Sequence, residues 1–209
     1  MDNHVAAVIL INSTINLSWS IKNYVTGYLP SSVVVNDFNN DNKDDFAVIN
    51  SFINSVSVYL GIGNGSFTFT NSFITMIDPL VIATGDFNGD NIIDIVTVNC
   101  NSYSFSLLFG YGNGYFQEQK NYSTNICSYS VAVADLNGDS YLDLVFDNYH
   151  NSSIMIYLGY GDGNFRPPIR VFTPINAIFV AVNDFNHDGR LDLAISHYNG
   201  YLSILLNTC

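Results

Sequence analysis

Asp37-Phe-Asn-Asn-Asp-Asn-Lys-Asp-Asp45 comes back three more times in this chain, each copy 49 residues after the last. The later copies are DFNGDNIID at 86–94, DLNGDSYLD at 135–143 and DFNHDGRLD at 184–192. Every copy has Asp at positions 1, 5 and 9 and Asn at position 3, all short side chains bearing oxygen. Carboxylates at alternate places in a tight loop suit a hard cation that takes about six to eight oxygen ligands, so the spacing reads as a Ca²⁺ loop used four times. Self-similarity at a fixed period of about 20–50 residues is also the mark of a solenoid or a propeller.

The charge agrees. Of 18 acidic residues, 12 stand at positions 1, 5 and 9 of these loops, and the remaining six match the six basic residues. The formal charge of −12 is therefore loop charge. Asp and Asn also make good turns, but turn chemistry does not require three carboxylates in register four times over. Neighbouring carboxylates repel by roughly 1–3 kcal/mol at 5 Å, a cost that four bound Ca²⁺ would relieve.

At 209 residues one domain or two are open by length, and the unbroken period points to a single repeat array over 1–209. An apolar fraction of 48% is ample for a core. Six basic residues are too few for a phosphate-binding patch, which argues against nucleic acid. No apolar run approaches the ~18 residues of a membrane span. Val5–Ile11 follows an acid and lacks a basic flank, so it reads as a strand rather than a leader. Cys100, Cys127 and Cys209 have no metal-type spacing. Free buried thiols are the plainer reading; in an oxidising compartment a Cys100–Cys127 disulfide would leave Cys209 over. Five N-x-S/T sequons, at Asn12, Asn16, Asn64, Asn121 and Asn151, would permit glycosylation there.

Around each loop the chain repeats four short runs. SVVVNDF (32–38), VIATGDF (81–87), SVAVADL (130–136) and VAVNDF (180–185) lead in. FAVIN (46–50), IVTVN (95–99), LVFDN (144–148) and LAIS (193–196) follow directly. VSVYLG (56–61), FSLLFG (105–110), IMIYLG (154–159) and LSILLN (202–207) come third. A glycine turn then leads to an aromatic, Phe67, Phe116 or Phe165, that opens a fourth. Apolar, largely β-branched or aromatic runs of this length, broken by Gly, Asn, Asp and Ser, predict strands. Small residues three places before each first Asp (Val34, Ala83, Ala132, Ala181) suit strands crowded at an axis. GIGNG (61–65), GYGNG (110–114) and GYGDG (159–163) are hairpin turns rather than phosphate loops, because a strand and not a helix follows. An all-β propeller of four blades is predicted.

D-[FL]-N-x-D-x-x-x-D, an apolar strand, then [LF]-G-x-G-[ND]-G-x-F resembles the FG-GAP/VCBS repeat family, which includes the propeller of integrin α chains. The resemblance covers residues 30–207. It implies Ca²⁺ loops between the first two strands of each blade, with Asp37, Asn39, Asp41 and Asp45 as side-chain ligands in the first. Asp86, Asn88, Asp90 and Asp94 would serve the second, Asp135, Asn137, Asp139 and Asp143 the third, and Asp184, Asn186, Asp188 and Asp192 the fourth. Position 7 (Lys43, Ile92, Tyr141, Arg190) would offer its backbone carbonyl, which leaves its side chain a free choice. The family often has Gly at position 6; here only Gly189 fits, against Asn42, Asn91 and Ser140, so the third loop is expected to bind more weakly. The resemblance also implies an extracellular or cell-surface setting.

The last blade stops at its third strand. Ile15–Trp19 is expected to supply the fourth and close the ring; an open arc, part of a larger propeller or self-associating, is the alternative. No HExxH, GxSxG or acid pair outside the loops suggests catalysis, and Lys22, Lys120, Arg166 and Arg170 are scattered. The sequence therefore reads as a non-enzymatic module for a protein or glycan. Tyr103, Tyr129, Tyr149, Tyr198, Tyr201, Asn101, Asn148 and Asn199 make the candidate surface. A carbohydrate-active lyase or hydrolase, or a purely structural repeat, are the other readings.

Overall fold

The computed structural model describes residues 5–9, 20–173 and 176–208. Three four-stranded antiparallel sheets follow one another: β3 (Pro30–Asn36), β4 (Asp45–Asn50), β5 (Ser55–Gly61) and β6 (Phe67–Ile74); β7 (Pro79–Gly85), β8 (Asp94–Asn99), β9 (Ser104–Leu108) and β10 (Lys120–Ser123); β11 (Val131–Ala134), β12 (Asp143–Asn148), β13 (Ser153–Tyr157) and β14 (Ile169–Phe172). A fourth sheet has β15 (Ala177–Asn183), β16 (Asp192–His197) and β17 (Leu202–Leu205). In each blade the first two strands flank an Asp loop, and the pairing is in sequence order. The predicted all-β, four-bladed propeller architecture is what the chain adopts. The fourth segment departs in detail. Its strand begins at the aromatic only in the first blade; in the next two, Phe116 and Phe165 make isolated bridges to Gly110 and Gly159 before the strand resumes.

Every residue of β4, β8 and β12 is buried, because each of these second strands is covered on both faces, β8 and β12 by neighbouring blades and β4 by the second blade and Tyr24. Ala47, Ile49, Val56 and Val58 of the first blade seal against Ile82, Ile95, Leu108 and Phe116 of the second. Val96, Val98, Phe105 and Leu107 do the same against Leu144, Phe146 and Tyr157 of the third, and Val145 and Ile154 against Val180, Leu193 and Ile195 of the fourth. The first strands β3, β7, β11 and β15 run side by side in that order.

No such seal joins the fourth blade to the first among the described residues. Of the expected terminal strand Val5–Ile11, β1 (Val5–Ile9) pairs antiparallel with β2 (Ile21–Val25) instead. The hairpin lies on the first blade, where Tyr24 packs with Phe46, Tyr59 and Phe67, and the Tyr59 hydroxyl donates to the Val25 carbonyl at 2.6 Å. Ile15–Trp19, the strand expected to close the ring, lies outside the described residues. In the fourth sheet β17 pairs with β16, with no second partner among the described residues. Among the described residues no closed ring is found, and the segment expected to close it lies outside them.

Cys100 and Cys127 are joined as a disulfide, which decides between the two readings of these cysteines. It ties the turn after β8 to the segment leading into β11, so it links two blades.

Candidate functional site

Each Asp loop is organised by its own carboxylates. The position 1 carboxylate accepts the backbone N–H of position 6: Asn42 on Asp37 at 2.7 Å, Asn91 on Asp86 at 2.8 Å, Ser140 on Asp135 at 2.7 Å and Gly189 on Asp184 at 2.9 Å. The position 3 Asn accepts the N–H of position 5, at 3.0–3.1 Å throughout. The position 5 Asp accepts the N–H of position 7, at 2.8–3.0 Å. Asn88, Asn137 and Asn186 also donate to Asp90, Asp139 and Asp188. Such bonds explain why only short Asp and Asn side chains serve here, since each must fold back on its own backbone.

Position 9 has a further role. Asp45, Asp94, Asp143 and Asp192 are 0% exposed. One oxygen accepts the N–H of position 2 (Phe38, Phe87, Leu136, Phe185) at 2.9–3.0 Å. The other accepts the N–H of Gly61, Gly110, Gly159 or Asn207 at 2.7–2.8 Å. This Asp therefore rivets its loop to the end of the third strand. The three glycines are required by that approach. A Cβ on Gly61, Gly110 or Gly159 would lie 2.1, 2.5 or 2.4 Å from the carbonyl oxygen of Asp44, Ile93 or Leu142. Burial pushes the Asp45, Asp94 and Asp143 carboxyls up, Asp94 to about 6, and the carboxylates at positions 1 and 5 add to the rise. The three acids of a loop thus share one electrostatic neighbourhood.

Two local features lay beyond the sequence reading. Position 4 as well as position 6 is left-handed: Asn40 has φ 59°, Gly89 78°, Gly138 74° and His187 61°, beside Asn42 at 59°, Asn91 at 62°, Ser140 at 70° and Gly189 at 84°. The third loop therefore strains a Ser at position 6 but has Gly at position 4, and the fourth strains a His at position 4 but has Gly at position 6. Position 6 alone does not rank them. Position 7 is also no free choice. Lys43 pairs with Asp41 at 2.8 Å, Arg190 with Asp188, and Tyr141 and Ile92 lie against Gly161 and Gly112 of their own blade's turn. The Lys43 side-chain bond holds the Asp41 carboxyl below the usual range, and the Arg190 backbone N–H, helped by Asn186 and the Arg190 charge, does so for Asp188. Arg166 stands 3.5 Å from Asp139. Asp90 has no ion pair among the described residues. As the side chains stand, no three acidic, His or Cys groups among the described residues form a ready metal cluster. The donor chemistry suits a hard cation, and each oxygen that holds one N–H keeps a second lone pair.

At the other end of the sheets the structure assembles part of the candidate aromatic surface. The Tyr149 ring stands edge-to-face with Tyr129 at 6.0 Å, Tyr198 at 5.9 Å and His150 at 5.1 Å, spanning blades three and four. Tyr129 and Tyr198 are 46% and 73% exposed. Tyr103 and Tyr201 are exposed but have no ring contact to this cluster. Asn148 is not a surface group. It is buried and donates to the Ser153 hydroxyl, just as Asn50 and Asn99 cap their own sheets on Ser57 and Ser106. His197 takes that place in the fourth blade, with Nε2 2.8 Å from the Ser203 hydroxyl. Beside the cluster sits Asp147, where the first two blades have Ile49 and Val98. One oxygen accepts from Ser128 Oγ and the N–H groups of Tyr129 and Ser130 at 2.6–2.7 Å. The other has no partner among the described residues, and burial pushes the carboxyl up to about 6.

The FG-GAP-like repeat family model matches residues 37–97 and 86–146. No curated protein matches the chain. Among solved structures, BBS1N in complex with ARL6DN superposes with a TM-score of 0.63 at 10% identity, over 97% of this chain and 63% of that one. A lectin from Agrocybe aegerita that recognises non-reducing terminal N-acetylglucosamine gives 0.64 at 18% identity, over 97% and 60%. Virginiamycin B lyase from Staphylococcus aureus gives 0.51 at 13% identity, over 86% and 56%. The chain thus spans less than two thirds of each, and the likeness is one of fold.

Proposed function

This chain belongs to the FG-GAP-like repeat family, and from that premise we propose that it is a non-enzymatic propeller module that binds about four Ca²⁺ in its Asp loops and takes a protein or glycan on the opposite, aromatic face. The ligand reading rests on one observation, the Tyr129–Tyr149–Tyr198 cluster bridging two blades, in which exposed Tyr129 and Tyr198 flank a half-buried Tyr149. Aromatic faces and edges with hydroxyl tips give contact area and hydrogen bonds at once, which suits sugar rings and peptides. Propeller neighbours of the same fold engage ARL6DN in one case and N-acetylglucosamine in the other. No helix of the described residues is long and apolar enough to cross a membrane.

The side chains at positions 1, 3, 5 and 9 of each loop, with the carbonyl of position 7, would hold the ion. Bound Ca²⁺ would supply positive charge where the loop concentrates negative charge. The chain's own residues do the rest: the position 1, 3 and 5 side chains fold the loop, and the position 9 Asp anchors it to the third strand. The Cys100–Cys127 disulfide supports an oxidising, extracellular or cell-surface setting.

Thermal melts with Ca²⁺ against excess EGTA test the metal reading. A ligand at a hundredfold over Kd stabilises by roughly 2.7 kcal/mol per site, so the melting temperature should fall clearly in chelator. An unchanged melt removes the metal from the proposal. For the ligand face, binding to a glycan array or a protein bait without turnover is expected, weakened by Tyr149→Ala. Turnover of a bound glycan would instead favour the enzyme reading.

A further inference from the structure

The first strands β3, β7 and β15 each run seven residues up to their Asp loop, and β11 runs four. The three longer strands open on Pro30, Pro79 and Ala177, paired with Asn50, Asn99 and His197 of the next strand. In the third blade the ladder starts only at Val131, opposite Phe146. Residues 128–130, which would extend it, turn to a side chain instead. One Asp147 oxygen accepts the Ser128 hydroxyl and the N–H groups of Tyr129 and Ser130. Backbone groups that leave a ladder must be satisfied elsewhere, and here a single carboxyl serves them.

Three blades pin this segment. Cys127, just before it, is joined to Cys100 of the second blade. Asp147 belongs to β12 of the third, and the Ser130 hydroxyl accepts the N–H of Val180, in β15 of the fourth, at 3.2 Å. Ser128 and Ser130 are buried, while Tyr129 between them is exposed. Its ring stands against Tyr149, which follows Asp147 by two residues. Asp147 thus fixes one ring through the chain and the other through its bonds. At the 49-residue spacing, the other repeats have Ile49, Val98 and Ser196 in place of Asp147, and Ser31, Leu80 and Ile178 in place of Tyr129. The acid and the ring occur together in the third repeat alone. A buried carboxyl is costly where an apolar side chain would pack, and such breaks of a local rule belong to functional places.

We propose that Asp147 is the positioning residue of the aromatic face: it draws residues 128–130 out of the β11–β12 ladder and holds Tyr129 where its ring meets Tyr149. This rests on the reading of that face as the ligand surface, and adds what fixes the shape of the face before a ligand arrives. A ring held by buried bonds has little freedom left to lose on binding, so the face is preorganised. With an apolar residue at 147, the backbone groups of residues 128–130 have the ladder as their remaining partner. The strand should then lengthen to the seven residues of β7.

Ring-to-ring NMR contacts between tyrosines of the full chain test this with no ligand present, so the outcome stands apart from that of the glycan and bait assays. The native chain and Asp147→Asn, which keeps the accepting oxygen, should both show a Tyr129–Tyr149 cross-peak. Asp147→Val, which installs the residue of the second blade, should lose it and keep the Tyr149–Tyr198 cross-peak. Its melting temperature should equal or exceed the native one, because the cost of the buried carboxyl is gone. Should Asp147→Val fail to fold, Asp147→Ser, with the residue of the fourth blade, carries the same expectation for both cross-peaks, since its shorter side chain falls back from the three donors. A Tyr129–Tyr149 cross-peak that survives in Asp147→Val or Asp147→Ser overturns the proposal. So does its absence from the native chain or from Asp147→Asn. Loss of both cross-peaks together in Asp147→Val and Asp147→Ser would show a merely structural role and equally count against positioning.

Discussion

The second and fourth Asp loops are near copies in sequence and differ in what stands beside them. At position 2, Phe87 is 3% exposed, and the N–H of Gly163 from the following blade donates to its carbonyl at 2.8 Å. Phe38 is held in the same way by Gly114 at 2.9 Å. In the fourth loop Phe185 is 41% exposed, and no following blade covers it among the described residues. On the same blade Phe179, Leu202, Ile204 and Leu206 are exposed, whereas Val56, Phe105 and Ile154, the counterparts of Leu202, are fully buried. A loop of this kind folds by its own hydrogen bonds, but its rigidity is a property of the junction it sits in. In the first two blades the local motif makes the corner and the next blade locks it.

Breaking the rivet should have the largest effect. Gly110→Ala drives a Cβ to 2.5 Å from the Ile93 carbonyl, and a cost of about 4 kcal/mol or more is expected in chemical denaturation. Asn207 already carries a side chain at the equivalent place, so Asn207→Ala should cost about 1 kcal/mol. A Gly110→Ala protein as stable as the parent would undo the account of the glycine.

Next comes the lock itself. Phe87→Ala should cost about 3–5 kcal/mol as a core cavity, and Phe185→Ala less than about 1 kcal/mol. Losses of similar size in the two variants would mean that the fourth junction is covered in solution.

Asp147 offers a smaller, pH-dependent contrast with Ile49 and Val98. Its folded pKa is raised from 3.8 to about 6, so its neutral form favours folding. That contribution is present below pH 3.8 and is lost as the pH rises through about 6. Asp147→Asn keeps an acceptor for Ser128, Tyr129 and Ser130 and removes the buried charge. It should flatten the stability profile between pH 4 and 7, by on the order of 1–3 kcal/mol. Parallel profiles for parent and variant would show that the carboxyl is not the titrating group.

The smallest effects are in the loops' backbones. Ser140→Gly and His187→Gly should each stabilise by up to about 1 kcal/mol by relieving left-handed φ angles. Gly189→Ser should do the reverse. If Ser140→Gly lowers the melting temperature while His187→Gly raises it, conformational relief is not what separates the third and fourth loops.

Much of this molecule is local, and the local part is written in the chain. The 49-residue period, the strands around each loop and the hairpin turns at GIGNG, GYGNG and GYGDG all follow from patterns a few residues long. So do the Asp and Asn positions of the loops, because the bonds that fold each loop connect residues two to five apart. Contacts between segments a repeat apart depend on how the blades stack, and these the tertiary structure alone decided. The position 9 acids are spent on the end of the third strand as well as on their loops, since that strand returns within reach of them. Asn148 is turned inward to cap its sheet, although its sequence context is that of a surface turn. Cys100 and Cys127 meet because two adjacent blades bring their connections together. The segment at Val5–Ile9 takes Ile21–Val25 as its hairpin partner on the first blade, a choice its own short apolar run does not specify. Hydrophobic pattern determines what a strand is; which neighbour covers it is settled only where the blades pack.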